Sequence, residues 1–252
     1  MPMQLDTGAI KAESRSLLRT GEVNPFRMTL FYLLITLVLD MINSGVSYMI
    51  DSAGGFTVLS FSFVSILVGL VALVLNAGYY CYCFGILRRK EMPYESLFDA
   101  FPFAGKVILL SIVEGVFIFL WSMLFVIPGI IAAYRYSFAM LNLCEKLGVM
   151  EALNLSKRQT NGYKMQLFLL QLSFIGWSLL VLGIFLIYEL LVAALLPDSF
   201  LGIMFGSLLL SVLAAGVGVY LTPYLNLSIC RFYQLATAPQ VNEPPHFDSW
   251  ND

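Results

Sequence analysis

The chain reads as an all-α membrane protein: six transmembrane helices in three hairpins, each preceded by a short cytoplasmic amphipathic helix. Three observations carry that expectation. Of 252 residues, 59% are apolar and 12% charged, with a mean hydropathy of +0.83; a soluble domain carries about a quarter charged residues. The apolar residues gather in six runs, 28–50, 61–87, 107–127, 130–144, 166–196 and 201–230, mostly of the length a helix needs to cross hydrocarbon. Thirteen of the fourteen Lys and Arg residues lie between or beside the runs, in alternate breaks only. Cytoplasmic flanks and short loops collect positive charge in this way.

The N-terminal flank, MPMQLDTGAIKAESRSLLRTGEVNPF, is polar and has no apolar core with a small-residue cleavage site, so no signal peptide is expected. Lys11, Arg15 and Arg19 recur every four residues beside Ile10, Leu17 and Leu18, a basic stripe on a helix over about 9–20. Such a helix lies in the membrane interface and attracts anionic headgroups, or else packs under the bundle as a cytoplasmic floor. After the span 28–50 comes DSAGGFTVLS, without Lys or Arg, an outer turn.

After 61–87 comes RRKEMPYESLFDAFPFAGK, with four basic residues. Arg88, Arg89 and Lys90 there join Lys11, Arg15 and Arg19 as expected contacts for anionic lipid headgroups. Tyr94, Leu97, Phe98 and Phe101 recur at i, i+3, i+4 and i+7, which predicts a second amphipathic helix over about 94–104.

Between 107–127 and 130–144 stands only Pro128-Gly129. A single kinked helix from Lys106 to Lys146 would run about 40 residues or roughly 60 Å, twice the hydrocarbon thickness, with lysines on opposite sides. Pro128-Gly129 therefore reads as a hairpin turn. The second leg, about 15 residues, is short for a span and calls for bilayer thinning or shelter by other helices.

EKLGVMEALNLSKRQTNGYK supplies four more basic residues and a third amphipathic helix over about 149–161. The break PDSF between 166–196 and 201–230 has none, and Arg231 closes the last run. Both termini are thus expected in the cytoplasm. Residues 1–237 form the membrane domain, and 238–252, Pro-rich and acidic, form a disordered tail. Small residues in AAGVGVY suit close helix packing, and Pro223 bends the last helix.

A weak internal repeat accompanies this order. ESLFDAFPFAGK with WSMLFVIPGI resembles EALNLSKRQTNGYK with WSLLVLGI at an offset near 56 residues, and 9–27 is a more distant third copy. The units run in one direction, as parallel repeats do.

The four cysteines, Cys81, Cys83, Cys144 and Cys230, read as small apolar fillers. No metal site is expected: Cys81 and Cys83 point to different helix faces, no second pair completes them, and the one histidine, His246, is in the tail. No cofactor is expected. A net charge of −2 suggests no nucleic-acid partner.

Chemistry should lie where ionisable groups enter the spans, because charge there is costly. Asp40, Glu114, Arg135 and Glu189 do so. Asp40 lies roughly 18 Å and Glu114 roughly 11 Å from the inner ends at helical rise, with Arg135 near mid-depth and Glu189 nearer the outer face. Glu114 and Arg135 belong to the two legs of one hairpin, so Arg135 is expected to pair with Glu114, with Asp40 as the other partner. Tyr134, Tyr136 and Asn142 add polar groups on the same leg, and Tyr79, Tyr80 and Asn76 on the second span. The cluster is either a structural lock, a binding site, or an Arg whose stem reaches the interface. GxSxG, HExxH and glycine-rich phosphate loops are absent, which argues against an enzyme.

The stretch from Phe84 to Trp177 carries FGILR, then WSMLFVIPGIIAAYRYS, then GYKMQLFLLQLSFIGW, and PYLNLSICRFY closes the last span. These segments resemble the bacterial integral membrane proteins grouped as domain of unknown function 975. Two positions depart from that pattern: Gln171 stands for an acidic residue and Gln166 for a Lys or Arg. The resemblance implies a six-span, multi-pass protein of the inner (cytoplasmic) membrane, Gram-positive in origin, with no established activity, and makes Arg135 within YRYS a family feature. A looser similarity to the membrane domain attached to some glycerophosphodiester phosphodiesterases favours lipid-related or accessory roles, by analogy.

The functional expectation is a non-catalytic component that binds a lipid or amphipathic peptide, or assists a membrane or envelope complex with a membrane-protein partner. The alternatives are a small-solute transporter or channel using the Arg135 cluster, and an intramembrane lipid-modifying enzyme.

Overall fold

The structure, a computed structural model, describes residues 6–18, 24–51, 55–88, 90, 92–195 and 200–238. They are helical throughout, with no strand among them. The helices are α1 (Thr7–Leu17), α2 (Pro25–Asp51), α3 (Gly55–Leu87), α4 (Ala104–Leu124), α5 (Val126–Tyr136), α6 (Ala139–Cys144), α7 (Val149–Gln159), α8 (Lys164–Leu195) and α9 (Phe200–Thr237). Two short 3-10 segments, Tyr94–Phe98 and Phe101–Phe103, lead into α4. Among the described residues five stretches are long and apolar enough to cross a membrane: Pro25–Asn43, Ser62–Leu87, Tyr94–Leu124, Val126–Cys144 and Lys164–Tyr188. The sixth expected span, 201–230, belongs to α9, where the side chains of 200–215 are outside those described.

Neighbouring helices pair along the chain, α2 with α3, α4 with α5 and α8 with α9, while α9 also meets α1, α2 and α3. Burial is uneven. Large apolar side chains on α2, α4 and α8 stand exposed, such as Met41, Phe119, Leu186 and Ile187. That is the pattern of a surface meeting hydrocarbon rather than water. The packed core instead lies where α3 and α9 end and α2 and α8 begin: Met28, Tyr79, Tyr82, Phe138, Leu167, Leu227 and Phe232 are all almost wholly buried there. Aromatic contacts of Phe138 with Phe232 and Tyr233, and of Tyr163 with Phe232, knit this polar end together.

α1 closes the polar end from beneath. Asp6 caps it by accepting the Gly8 N–H at 2.8 Å. Its apolar side buries Ile10 and Ser14, and Glu13 pairs with Arg231 of α9 at 2.8 Å. The basic stripe partly faces the protein: Lys11 lies 4.6 Å over the Phe174 ring and Arg15 5.7 Å over Tyr224. Burial, and then the charge of Arg15, lower the Lys11 pKa. Arg19 and Arg89 lie outside the described residues.

The segment over 94–104 differs from the single amphipathic helix its periodicity predicts. It forms the two 3-10 turns, with Leu97 buried but Tyr94, Phe98 and Phe101 exposed. The i, i+3 pairs Tyr94/Leu97 and Phe98/Phe101 fit 3-10 turns as well as an α-helix, and Pro102 removes a donor from the second of them.

The hairpin around Pro128 also turns at a different place. The chain breaks at Phe125, whose φ of −163° and ψ of 157° are extended, and Pro128-Gly129 lies inside the first turn of α5. The reason is steric: the ring of a proline clashes with the carbonyl four residues earlier, here Leu124, so α4 must end there. In the first turn of a new helix the missing N–H costs nothing. The second leg is accordingly 19 residues, Val126–Cys144, and not the expected 15 or so.

α5 returns tightly along α4. A Cβ on Gly129 would stand 2.1 Å from Ser122 Oγ and 3.0 Å from Ser122 Cα. Gly129→Ala is therefore expected to destabilise the fold by about 1–3 kcal/mol through overpacking, read as a lower unfolding midpoint in detergent. Ser122→Ala should restore part of the loss; an unchanged midpoint would mean that the two legs do not pack this closely.

The cysteines need a correction. Cys81 of α3 and Cys144 at the end of α6 form a disulfide, with Cα atoms 5.6 Å apart, so only Cys83 and Cys230 are buried free thiols. The partners are 63 residues apart, and local spacing carries no sign of such a pair.

Candidate functional site

The site is built from a break in the second leg of the α4–α5 hairpin. α5 ends at Tyr136 and α6 starts at Ala139, leaving backbone groups at the junction without helical partners. α7 supplies them. Ser156 Oγ and Thr160 Oγ1 donate to the Arg135 carbonyl at 3.0 and 3.1 Å, and Ser156 Oγ accepts from the Phe138 N–H at 3.2 Å. Asn142 completes the dock: its amide donates to Ala152 O at 3.1 Å and Gln159 Oε1 at 3.0 Å, and its oxygen accepts from the Tyr233 hydroxyl at 2.8 Å. Asn142, Ser156 and Thr160 are all buried. A buried amide with three partners fixes α6, α7 and α9 in one arrangement.

α7 owes its form to two opposed faces. Glu151 accepts the Gly148 N–H at 3.4 Å at the start, and Lys157 and Arg158 lie in the last turn, where cations suit the helix dipole. Ala152, Leu153 and Ser156 face the bundle. Asn154, Lys157, Arg158 and Asn161 recur at i, i+3, i+4 and i+7 on the other side.

Those four, with Arg135 and Lys164, line a half-open cavity of about 510 Å³. Four cations and two carboxamides line it, with no carboxylate, histidine, hydroxyl or thiol. Among the described residues the ion pairs are Arg88 with Glu145 and Arg231 with Glu13, so none of the four cations is in one. Arg135 Nε is buried and has no hydrogen-bond partner among the described residues. A buried donor left open this way costs free energy unless something absent from the protein accepts from it. α8 starts at Lys164, so the positive end of its dipole lies at the cavity wall.

The arrangement is chemically suited to an anion. Arginine offers a planar fork that matches two oxygens of a phosphate, lysine a mobile point charge, and asparagine neutral donors. The lining offers such a group positive charge and hydrogen-bond donors.

The expected intramembrane cluster is not assembled around Arg135. Asp40 is exposed on α2, and Glu114 is half-buried on α4 within electrostatic reach of Tyr80. Tyr134 donates to Gln171 Oε1 of α8 at 2.8 Å, and Tyr136, buried, stacks on Phe117 of α4. Asn76 of α3 donates to the Tyr32 hydroxyl at 3.1 Å. The Glu189 side chain lies outside those described. Arg135 itself stands with Lys157, Arg158 and Lys164 at the basic α7–α8 junction, and among the described residues no ion pair joins it to a carboxylate. α7 packs against α5 and α6 and brings its cations to this part of the leg.

Residues 123–239 match the family model described as Protein of unknown function (DUF975). This is the family that the sequence motifs resemble. The DUF975 region takes in all six cavity residues, the Asn142 dock and Tyr233, and leaves out α1 to α3 and nearly all of α4. No curated protein and no solved structure matches the chain.

Proposed function

We propose that this is a six-span protein of the bacterial cytoplasmic membrane, with both termini in the cytoplasm, that holds the phosphate headgroup of an anionic lipid in the Arg135 cavity as a non-catalytic binding component. The observation that carries the reading is the partnerless buried Nε of Arg135 among three further cations without a carboxylate.

Two features favour a lipid over a soluble anion. Counting basic residues puts the cavity at the cytoplasmic headgroup level, where anionic lipids concentrate. From the cavity the same two helices continue with exposed apolar side chains, Ile127 and Ile131 on α5 and Leu172 and Ile175 on α8. A headgroup in the cavity leaves its chains beside apolar protein. The Cys81–Cys144 link and the Asn142 dock make the α6–α7 wall rigid, which suits a preformed site. A transporter would need the cationic site to open to both sides of the membrane, and one residue before Arg135 the Tyr134 hydroxyl ties α5 to Gln171 of α8.

The test is retention of lipid by the purified full chain. Native mass spectrometry from mixed phosphatidylglycerol and phosphatidylcholine should show phosphatidylglycerol retained selectively, and competed away by free glycerol phosphate only at millimolar concentration. No preference between the two lipids would overturn the reading. Competition by micromolar free phosphate ester would make the ligand a soluble anion instead.

A further inference from the structure

We infer that Cys81 and Cys144 form a thiol–disulfide switch that sets the affinity of the basic cavity. This inference rests on the headgroup reading above and names its regulation. Three placements carry it.

The first is where the pair sits. By the distribution of basic residues the ends of α3 and α6 face the cytoplasm, where disulfides are uncommon and those that form are transient or sensing. Cys81 and Cys144 are each partly accessible, whereas Cys83 and Cys230 are fully buried. Access for an exchanging thiol is what distinguishes a labile disulfide from an inert one.

The second is what the bond ties. It joins α3, which belongs to the packed core, to the last residue of α6. The side-chain link next to it is the ion pair between Arg88 and Glu145, whose side chains are 47% and 30% exposed. A solvent-screened pair of this kind contributes little. Beyond the apolar packing of Ala139, Leu141 and Leu143 on α3, the covalent link is thus the strongest tie between the end of α6 and α3.

The third is what α6 positions. Asn142, two residues before Cys144, holds α7 through Ala152 and Gln159. The far side of α7 and the turn after it carry Asn154, Lys157, Arg158 and Asn161, four of the six cavity residues. Closing the disulfide fixes α6, α6 fixes α7, and α7 presents its cations preorganised; opening it lets this wall move. Preorganised groups bind with less loss of freedom.

The exchange is balanced with a low-molecular-weight disulfide as oxidant. One protein thiolate attacks a sulfur of that disulfide and expels one small thiol. The second protein thiolate then attacks the mixed disulfide, forms the Cys81–Cys144 bond and expels the other. Two protein thiols are oxidised, one small disulfide is reduced to two thiols, and the two protons go with them.

The experiment uses the full chain in vesicles of phosphatidylglycerol and phosphatidylcholine, oxidised with glutathione disulfide or reduced with dithiothreitol, with the state read by maleimide mass shift. The expected result is about tenfold weaker retention of phosphatidylglycerol after reduction, and no redox response in Cys81→Ser. Cys144→Ser must behave the same way, so a folding defect in one variant does not decide the matter. Equal retention in the oxidised and reduced forms overturns the switch and leaves the headgroup site standing. No retention in either form overturns the site, and its control with it. In growing cells trapped in acid, both thiols should be free in the absence of stress and paired after a thiol oxidant; a permanent disulfide in unstressed cells overturns the switch.

Discussion

Arg135→Gln is expected to weaken retention of anionic lipid by roughly 10–100-fold, the loss of a charge-assisted hydrogen bond of about 1.5–3 kcal/mol. The effect should far exceed that of its neighbours. Lys157 and Arg158 are exposed on α7, so each works through solvent and salt, and Lys157→Gln should cost only about threefold, on the order of 0.6 kcal/mol. Arg135 is only partly exposed, and its Nε is shut off from water with no acceptor of its own. The variant should fold, because the contacts that hold α7 run through the Arg135 carbonyl and not its side chain. Added salt should weaken the Lys157 contribution before that of Arg135. Equal losses in the two variants would show that the cavity acts only as a diffuse basic surface. An unaffected Arg135→Gln would move the headgroup site elsewhere.

The prominence of Arg135 is legible in the sequence, and its surroundings are not. A lone cation inside an apolar run is visible to any count of charges. Its depth and partner depend on where the flanking helices begin and end, and Pro128 misleads there, since a proline sits comfortably inside the start of a helix as well as at a turn. With the turn at Phe125 the hairpin still brings α5 back along α4, but what lies beside the Arg135 side chain is decided by the packing of α7 and the start of α8.

The rest of the cavity has a signal that is easily spent on another purpose. Lys157, Arg158 and Lys164 serve first as markers of the cytoplasmic side, yet Asn154, Lys157, Arg158 and Asn161 repeat at helical spacing, which is the mark of a polar face. The helical class, five of the apolar stretches and the likeness of residues 123–239 to the DUF975 family model follow from hydropathy and motif alone. The Cys81–Cys144 bond and the Tyr233–Asn142 contact join residues far apart in sequence, and only the packing of α3, α6 and α9 brings them together.

Gly78→Ala should be among the most damaging single-methyl changes in the chain. A Cβ at Gly78 would lie 1.9 Å from the carbonyl oxygen of Leu97 and 2.8 Å from its carbon. Both are backbone atoms, and Leu97 is itself wholly buried, so no flexible side chain can move aside. Either α3 or the Tyr94–Phe98 turn must shift, in the midst of the packed core that includes Tyr79 and Leu97. Overpacking of this kind costs about 1–3 kcal/mol, and backbone displacement places this case at or above the top of that range. Gly69, on the same helix, has nothing within 4 Å of a Cβ. There the change of Gly to Ala only removes freedom from the unfolded chain and should stabilise by about 0.5–1 kcal/mol. The two variants are thus expected to shift the unfolding midpoint in detergent in opposite directions, although each adds one methyl group to one helix. A fall at both positions would mean that α3 is packed along its whole length. A rise at both would mean that the turn between α3 and α4 does not rest on α3 at Gly78.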